Sequence, residues 1–271
     1  MEELKKVALI TGATKGIGRA IAFKSAELGL NLSLISRDYA ELLKLKATLL
    51  ELYPIRVEIF EGNVSMESNC KEWIDHTVAI FKRIDYLFNN AGISMHALFE
   101  DCDVRVIKDV MDVNFWGMVY CTKFALPHIK NVKGHIIGIS SIAGFKGLPG
   151  RTGYSASKFA MNGFLESLRI EQRHSGIHIL IACPGYTKSN IRKVALNKSG
   201  ISQGESPIDE SKLMSAEMVA EKIWKAVFSK KSYLILTSQG KFAILLNKIS
   251  PKLADFITYL FISKEKNSVL K

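Results

Sequence analysis

The chain has 271 residues, 48% of them hydrophobic, and a formal net charge of +11. That length and apolar content suit one large α/β domain over two small ones, and no low-complexity linker or internal repeat divides it. The positive charge raises nucleic acid as a partner, but the basic residues are scattered and no basic stripe is interleaved with aromatics, so no nucleic-acid partner is expected. Cofactor phosphates, a membrane surface or simple solubility account for the charge instead.

Val7 to Ile10, after the charged Met1 to Lys6, is too short for the core of a signal peptide. No uninterrupted apolar stretch reaches the roughly 18 residues of a spanning helix. Cys70, Cys102, Cys121 and Cys183 are widely separated and match neither a zinc spacing nor a disulfide framework. A reducing, cytoplasmic setting is the expectation.

In chain order, Lys5 to Thr11 reads as a buried strand bounded by Gly12. A helix follows through Ile17, Ala20, Ile21, Phe23 and Leu28, closed by Gly29. Asn31 to Ser36 is a second strand, and Tyr39 to Leu52 a helix stopped by Pro54. Ile55 to Phe60 is a third strand, Ser68 to Phe81 a helix, and Asp85 to Phe88 a short strand. The apolar segment Val104 to Ile129 reads as one long helix. His135 to Ser140 is a strand, Tyr154 to His174 a helix ended near Gly176, and Ile177 to Ala182 and Tyr233 to Leu236 the last strands. This alternation predicts α/β architecture: a Rossmann-like, doubly wound parallel sheet of about seven strands, helices on both faces and right-handed crossovers. Ligands bind such sheets beyond the carboxyl ends of the strands, where the following motifs fall.

Tyr154 and Lys158 stand four apart, on one face of a helix. An ammonium beside a phenol favours the phenolate, as a general acid–base near neutral pH requires. The segment Thr11-Gly12-Ala13-Thr14-Lys15-Gly16-Ile17-Gly18 joins the first strand to the first helix. Its glycines permit a tight turn and close approach to a pyrophosphate, with free N–H groups at the helix start behind them.

These motifs resemble the short-chain dehydrogenase/reductase family in its short, non-extended form. Thr-Gly-x-x-x-Gly-Ile-Gly lies near the N-terminus and Tyr-x-x-x-Lys about 140 residues later. Asn89-Asn90-Ala91-Gly92 follows the fourth strand, Asn114 lies in the long helix, Ser141 precedes Tyr154 by thirteen residues, and Pro184-Gly185 follows the sixth strand. The resemblance implies hydride transfer between a nicotinamide and a carbonyl or secondary alcohol. Tyr154 would donate the proton and Ser141 would hold the same oxygen. Lys158 would lower the Tyr154 pKa and bond the nicotinamide ribose, and Asn114 would hold a water in a proton relay. Gly12, Thr14, Lys15, Gly16, Ile17, Gly18, Asn90, Ala91, Gly92, Pro184 and Gly185 would contact the cofactor. Ser189 stands at the family's usual threonine position, with Thr187 as an alternative. Asn63-Val64 replaces the family's usual Asp-Val against adenine, and an amide can still serve there.

Cofactor choice turns on the end of the second strand. The acidic position of NAD users corresponds to Ser36, whereas Arg37, with Lys15, suits the 2′-phosphate of NADP(H). NADP(H) is therefore expected over NAD(H), with Asp38 read as a helix cap although it stands twenty residues after Gly18. Bland readings remain for single residues: Ser140 rivals Ser141, and Asn114 could be a buried amide bonded to nearby backbone. His135, His174 and His178 read as structural, and no metal is expected.

Residues 186–213 are polar and correspond to the family's substrate lid. Ile142, Phe145, Leu148, His96 and Tyr186 are candidates for a lipophilic pocket. Residues 239–263 form an apolar tail that Pro251 should split into two short helices, with lysines outnumbering acids. The tail resembles those of membrane-associated members acting on lipophilic substrates. Pocket cover or subunit packing is expected first and peripheral membrane contact second. The long helix and the helix after Tyr154 resemble the family's dimer helices, so a homodimer or homotetramer is expected. A non-catalytic nucleotide-binding scaffold on the same fold is the competing reading.

Overall fold

Alternate residues of Val7–Thr11 (β1) feed two different cores, and this explains why the strand is apolar without interruption. Ala8 and Ile10 point to one face of the sheet, Val7 and Leu9 to the other, and all four are buried. The computed structural model describes residues 5–206, 208, 213–265 and 268–271. The expectations at Met1 to Leu4, Pro207, residues 209–212 and Lys266 lie outside the described residues.

After β1 come α1 (Gly16–Glu27), β2 (Asn31–Ser36), α2 (Tyr39–Leu52), β3 (Val57–Glu61), α3 (Glu67–Phe81) and β4 (Tyr86–Asn89). Then follow α4 (Val104–Met111), a π turn (Asp112–Trp116), α5 (Gly117–Asn131), β5 (His135–Ile139) and α6 (Thr152–Glu171). The chain continues through β6 (His178–Cys183), α7 (Ala216–Phe228), β7 (Tyr233–Ile235), α8 (Ser238–Ile249) and α9 (Pro251–Ser263). The strands form one all-parallel sheet ordered β3-β2-β1-β4-β5-β6-β7. The order reverses between β1 and β4, the switch point at which such sheets open a crevice.

One face carries α1, α2 and α7, through Ile21, Leu42, Leu49, Ile223 and Trp224. The other carries α3, α5 and α6, through Trp73, Ile74, Cys121, Ile129, Met161 and Leu165. The helix α7 is absent from the sequence reading, although Ser215 caps it by accepting from Met218 N and Val219, Ile223 and Trp224 form its buried stripe.

The expected long helix from Val104 is also corrected. It is two α-helices joined by the π turn at Asp112–Trp116, a feature that often marks functional sites. Gly138 in β5 brings α6 close to the sheet, since a Cβ there would lie 2.3 Å from Leu165 Cδ1. This close seat sets the position of the Tyr154–Lys158 face.

Candidate active site

The carboxyl ends of β1, β4, β5 and β6 open into a cleft of about 1310 Å³. Every residue expected at the site lines it except Gly18 and Asn114, which stand behind its wall. Gly12 (φ 64°) and Gly16 (φ 52°) take the left-handed backbone that favours glycine.

The loop is tied to β4 by its own polar groups. Asn90 Nδ2 donates to Thr11 O at 2.9 Å and to Gly12 O at 3.2 Å. Thr11 Oγ1 accepts from Asn90 N and Ala91 N, each at 2.9 Å. Asn90 thus joins the two sheet halves at the switch point.

On the adenosine side, Thr14 Oγ1 and Ser36 Oγ lie 3.2 Å apart. Asp38 accepts from Glu41 N at 3.1 Å and caps α2, whereas Arg37 is exposed and lines the cleft. Asn63 Oδ1 accepts from Ser65 N at 3.1 Å, which fixes the turn after β3, and Val64 is buried there. Ser189 and Thr187 separate. Ser189 Cβ lies 3.4 Å from where a Gly16 Cβ would stand, against the glycine loop. Thr187 is buried, its hydroxyl donating to Gly185 O at 3.2 Å.

The two neighbouring serines at the end of β5 also separate. Ser140 is buried and donates to Asn162 Oδ1 at 2.6 Å. Ser141 lines the cleft, its Oγ accepting from Ala143 N at 3.2 Å. Lys158 is buried, and its Nζ donates to Ile139 O at 2.8 Å. Burial pushes its pKa down to about 8.

The Tyr154 phenol is pushed above its ordinary value by burial. The Ser141 hydroxyl and the Arg151 and Arg192 guanidiniums pull the other way. The sequence reading expects the Lys158 ammonium to bring the phenol down. In this geometry the ammonium lies 5.8 Å from the phenol ring centre, and burial outweighs every cation nearby.

Asn114, in the π turn, is fully buried. Its Oδ1 accepts from Ile93 N at 2.8 Å, and its Nδ2 donates to Ile93 O and Ser157 Oγ, each at 2.9 Å. The amide is spent on fixing the turn after β4 beneath Gly92, whose Cβ would stand 3.2 Å from Asn114 Oδ1.

At the far end of the cleft, Ile142, Leu148 and Tyr186 line it as expected, joined by Leu246, Ile257 and Phe261 of α8 and α9. His96 and Phe145 do not line it. His96 binds Gln203 at 3.0 Å, and Phe145 packs toward Tyr233. Lys146, buried, ties the cover down through Asp255 and through Asn247 Oδ1 at 2.9 Å. The sequence reading misses Arg151, Arg192 and Glu265, which gather here as buried charges. No cluster of metal ligands and no helix long and apolar enough to cross a membrane occurs among the described residues.

A family model described as short chain dehydrogenase matches residues 6–199. The protein described as 11-beta-hydroxysteroid dehydrogenase-like 2 of Arabidopsis thaliana is 35% identical over 95% of this chain and 82% of its own length. Among solved structures, a short chain dehydrogenase/reductase from Burkholderia phymatum in complex with NAD superposes with a TM-score of 0.82 at 24% identity, covering 93% of this chain and 96% of that one. An alcohol dehydrogenase from the archaeon Thermococcus sibiricus, complexed with 5-hydroxy-NADP, gives 0.75 at 23% identity over 85% and 94%.

Proposed function

The chain belongs to the short-chain dehydrogenase family, and from that premise we propose that it is an NADP(H)-dependent oxidoreductase interconverting a lipophilic carbonyl compound and its alcohol. The observation that carries this reading is the convergence of the glycine loop with Ser141, Tyr154 and Lys158 in one cleft. The residues fit the cofactor: the Gly12 and Gly16 backbones and the start of α1 suit a pyrophosphate. Lys15 and Arg37, both exposed at the cleft, suit a 2′-phosphate, and Asp38 is engaged as a cap. When bound, the nicotinamide supplies or accepts the hydride.

The chain's own residues supply protons and geometry. As charge grows on the carbonyl oxygen, Tyr154 donates its proton and Ser141 donates a hydrogen bond to the same atom. Burial of Tyr154 keeps the phenol protonated, as the reductive direction requires. Lys158, its pKa lowered by burial to about 8, can exchange protons near neutral pH and would bond the nicotinamide ribose. Asn114 holds the Ile93 turn.

The apolar lining from Ile142, Leu148, Ile257 and Phe261 supports a lipophilic substrate. The outer face of α8 and α9 exposes Leu245, Ile249, Leu253, Phe256 and Leu260 beside Lys241, Lys248 and Lys252. Such a face suits peripheral contact with an anionic membrane. Exposed Trp116 and Phe159, on the α5–α6 side, support a homodimer or homotetramer. The test is a panel of ketones, aldehydes and secondary alcohols followed by NADPH absorbance. Turnover is expected with apolar carbonyls and is lost in Tyr154→Phe. Nicotinamide turnover unchanged by that substitution defeats the mechanism.

A further inference from the structure

The segment after α9 sends one carboxylate into the protein beside the cleft. Glu265 is 4% exposed. Its Oε2 accepts from Arg151 Nη2 at 2.8 Å and its Oε1 from the Tyr186 hydroxyl at 3.1 Å. Arg151, 6% exposed, is the cap residue of α6, three positions before Tyr154, and it lines the cleft. Its other terminal nitrogen, Nη1, is buried without a hydrogen-bond partner among the described residues.

Arg192 arrives from the loop after β6. It donates from Nη2 to Thr187 O at 2.6 Å, with Cζ 5.8 Å from the Tyr186 ring centre. Tyr186 stacks on Phe261 of α9 with ring centres 6.0 Å apart. Val269 seats against Gly150, one residue before Arg151. Burying an ion pair costs desolvation that a packed apolar pair avoids, so stability alone is a weak reason for Arg151 and Glu265 to be here.

We propose that Arg151 is a positioning residue for proton transfer at Tyr154, its field on the phenol set by Glu265 of the C-terminal segment. This rests on Tyr154 being the acid–base group. Arg151 at the start of α6, Arg192 from the loop after β6 and the Cys183 thiol at the end of β6 act on the phenol directly, Lys158 lies 5.8 Å from its ring centre, and Glu265 stands behind Arg151 with Tyr186 and His96 beside that pair. Burial pushes that thiol up to about 12, so it is neutral near pH 7. The cations favour the phenolate and Glu265 opposes them. Lys158 is turned to the Ile139 carbonyl, so the downward pull on the phenol comes from the Ser141 hydroxyl first and then from the Arg151 and Arg192 guanidiniums.

The two partners act with opposite sign, and a merely structural pair does not. In alcohol oxidation Tyr154 must begin as phenolate, so its ionisation sets the acidic limb of the kcat–pH profile. Arg151→Met removes a cation and is expected to move that limb about 0.5–1 pH unit up; Glu265→Gln removes an anion and moves it about as far down. Arg151→Lys keeps the limb near its parent position. The double variant R151M/E265Q returns it to within about 0.3 unit, and it covers the case in which Arg151→Met, leaving a buried carboxylate unpaired, fails to fold. Tyr154→Phe is measured alongside: activity persisting there overturns the acid–base reading itself. With that variant inactive, a limb that stays put in Glu265→Gln, a double variant whose limb departs from the parent by more than about 0.3 unit, or single variants that move the same way overturn the proposal.

Discussion

A methyl group at Gly18 tests the phosphate loop most sharply. In Gly18→Ala the new Cβ would stand 2.3 Å from Gly12 O and 2.4 Å from Asn90 Nδ2, both closer than real Cβ contacts come. The start of α1 or the Asn90 amide must move by about 1 Å. Either movement pulls Asn90 Nδ2 from Thr11 O and Gly12 O, now 2.9 and 3.2 Å away. Overpacking costs about 1–3 kcal/mol, and each lost hydrogen bond about 1 kcal/mol. The sum, about 3–5 kcal/mol, is a large share of the stability of an ordinary domain. For a chain of this length it lowers Tm by roughly 10 °C. Because the displaced atoms are those that would meet a pyrophosphate, affinity for NADPH falls at least about tenfold. Thermal unfolding and isothermal titration read the two effects. Gly163→Ala is the control: it is exposed in α6 with nothing within 4 Å of its Cβ position, so it should gain about 0.5–1 kcal/mol. A Gly18→Ala protein melting within about 2 °C of the parent and binding nucleotide equally well refutes the reasoning.

Lys158→Met should inactivate the protein and stabilise it. Burial lowers this lysine from 10.5 to about 8, so the folded state holds fewer protons than the unfolded state between those values. The destabilisation is complete below pH 8 and fades as pH rises toward 10.5. With the lost bond to Ile139 O deducted, the gain at pH 7 is about 1–2 kcal/mol. Melting curves at pH 7 and pH 10 should show it shrinking with pH. Arg37→Glu should raise the Kd for NADPH at least about tenfold while sparing NADH; equal effects on both reject the 2′-phosphate assignment. Asp38→Ala should cost about 1 kcal/mol through the lost cap of α2 and leave the NADPH to NADH preference unchanged, as paired melting and binding curves would record. In flotation with anionic liposomes at low salt, the protein should rise with the lipid, and Phe256→Glu with Leu260→Glu should abolish this; a protein that stays below removes the membrane reading.

The strands are legible because a sheet covered on both faces needs continuous apolar runs, as in Val7 to Ile10 and Ile179 to Ala182. Pro251 marks the break between α8 and α9 because a proline at the first helical position is favourable while one inside a helix is not. The helix α7 escapes because the polar, glycine-containing lid runs up to Ser215, although the spacing of Val219, Ile223 and Trp224 is visible afterwards. Ser140 and Ser141 cannot be told apart by type. Both line the cleft, and their alternation across the strand end decides which hydroxyl is spent on Asn162 and which is left toward Tyr154. The choice between Thr187 and Ser189 likewise depends on how the loop folds back on Gly16. Arg151 and Glu265 leave no local trace, because the partners are 114 positions apart and meet only through the tertiary fold.

The π turn also predicts how this protein tolerates the loss of a single residue. An α-helix closes with four-residue spacing and a π turn with five, so the span 112–116 carries one residue more than a regular helix through it would. Deleting one residue there would heal α4 and α5 into an uninterrupted helix. The flanking helices would keep nearly the same phase, and only the backbone of the span itself would be re-registered. Asn114 could no longer meet both Ile93 and Ser157. The deletion would improve the helix's own hydrogen bonding while disconnecting the turn after β4 from the helix bearing Tyr154. Regular secondary structure and a competent active centre are thus alternatives over these five residues, and a length variant here is expected to fold well and work badly.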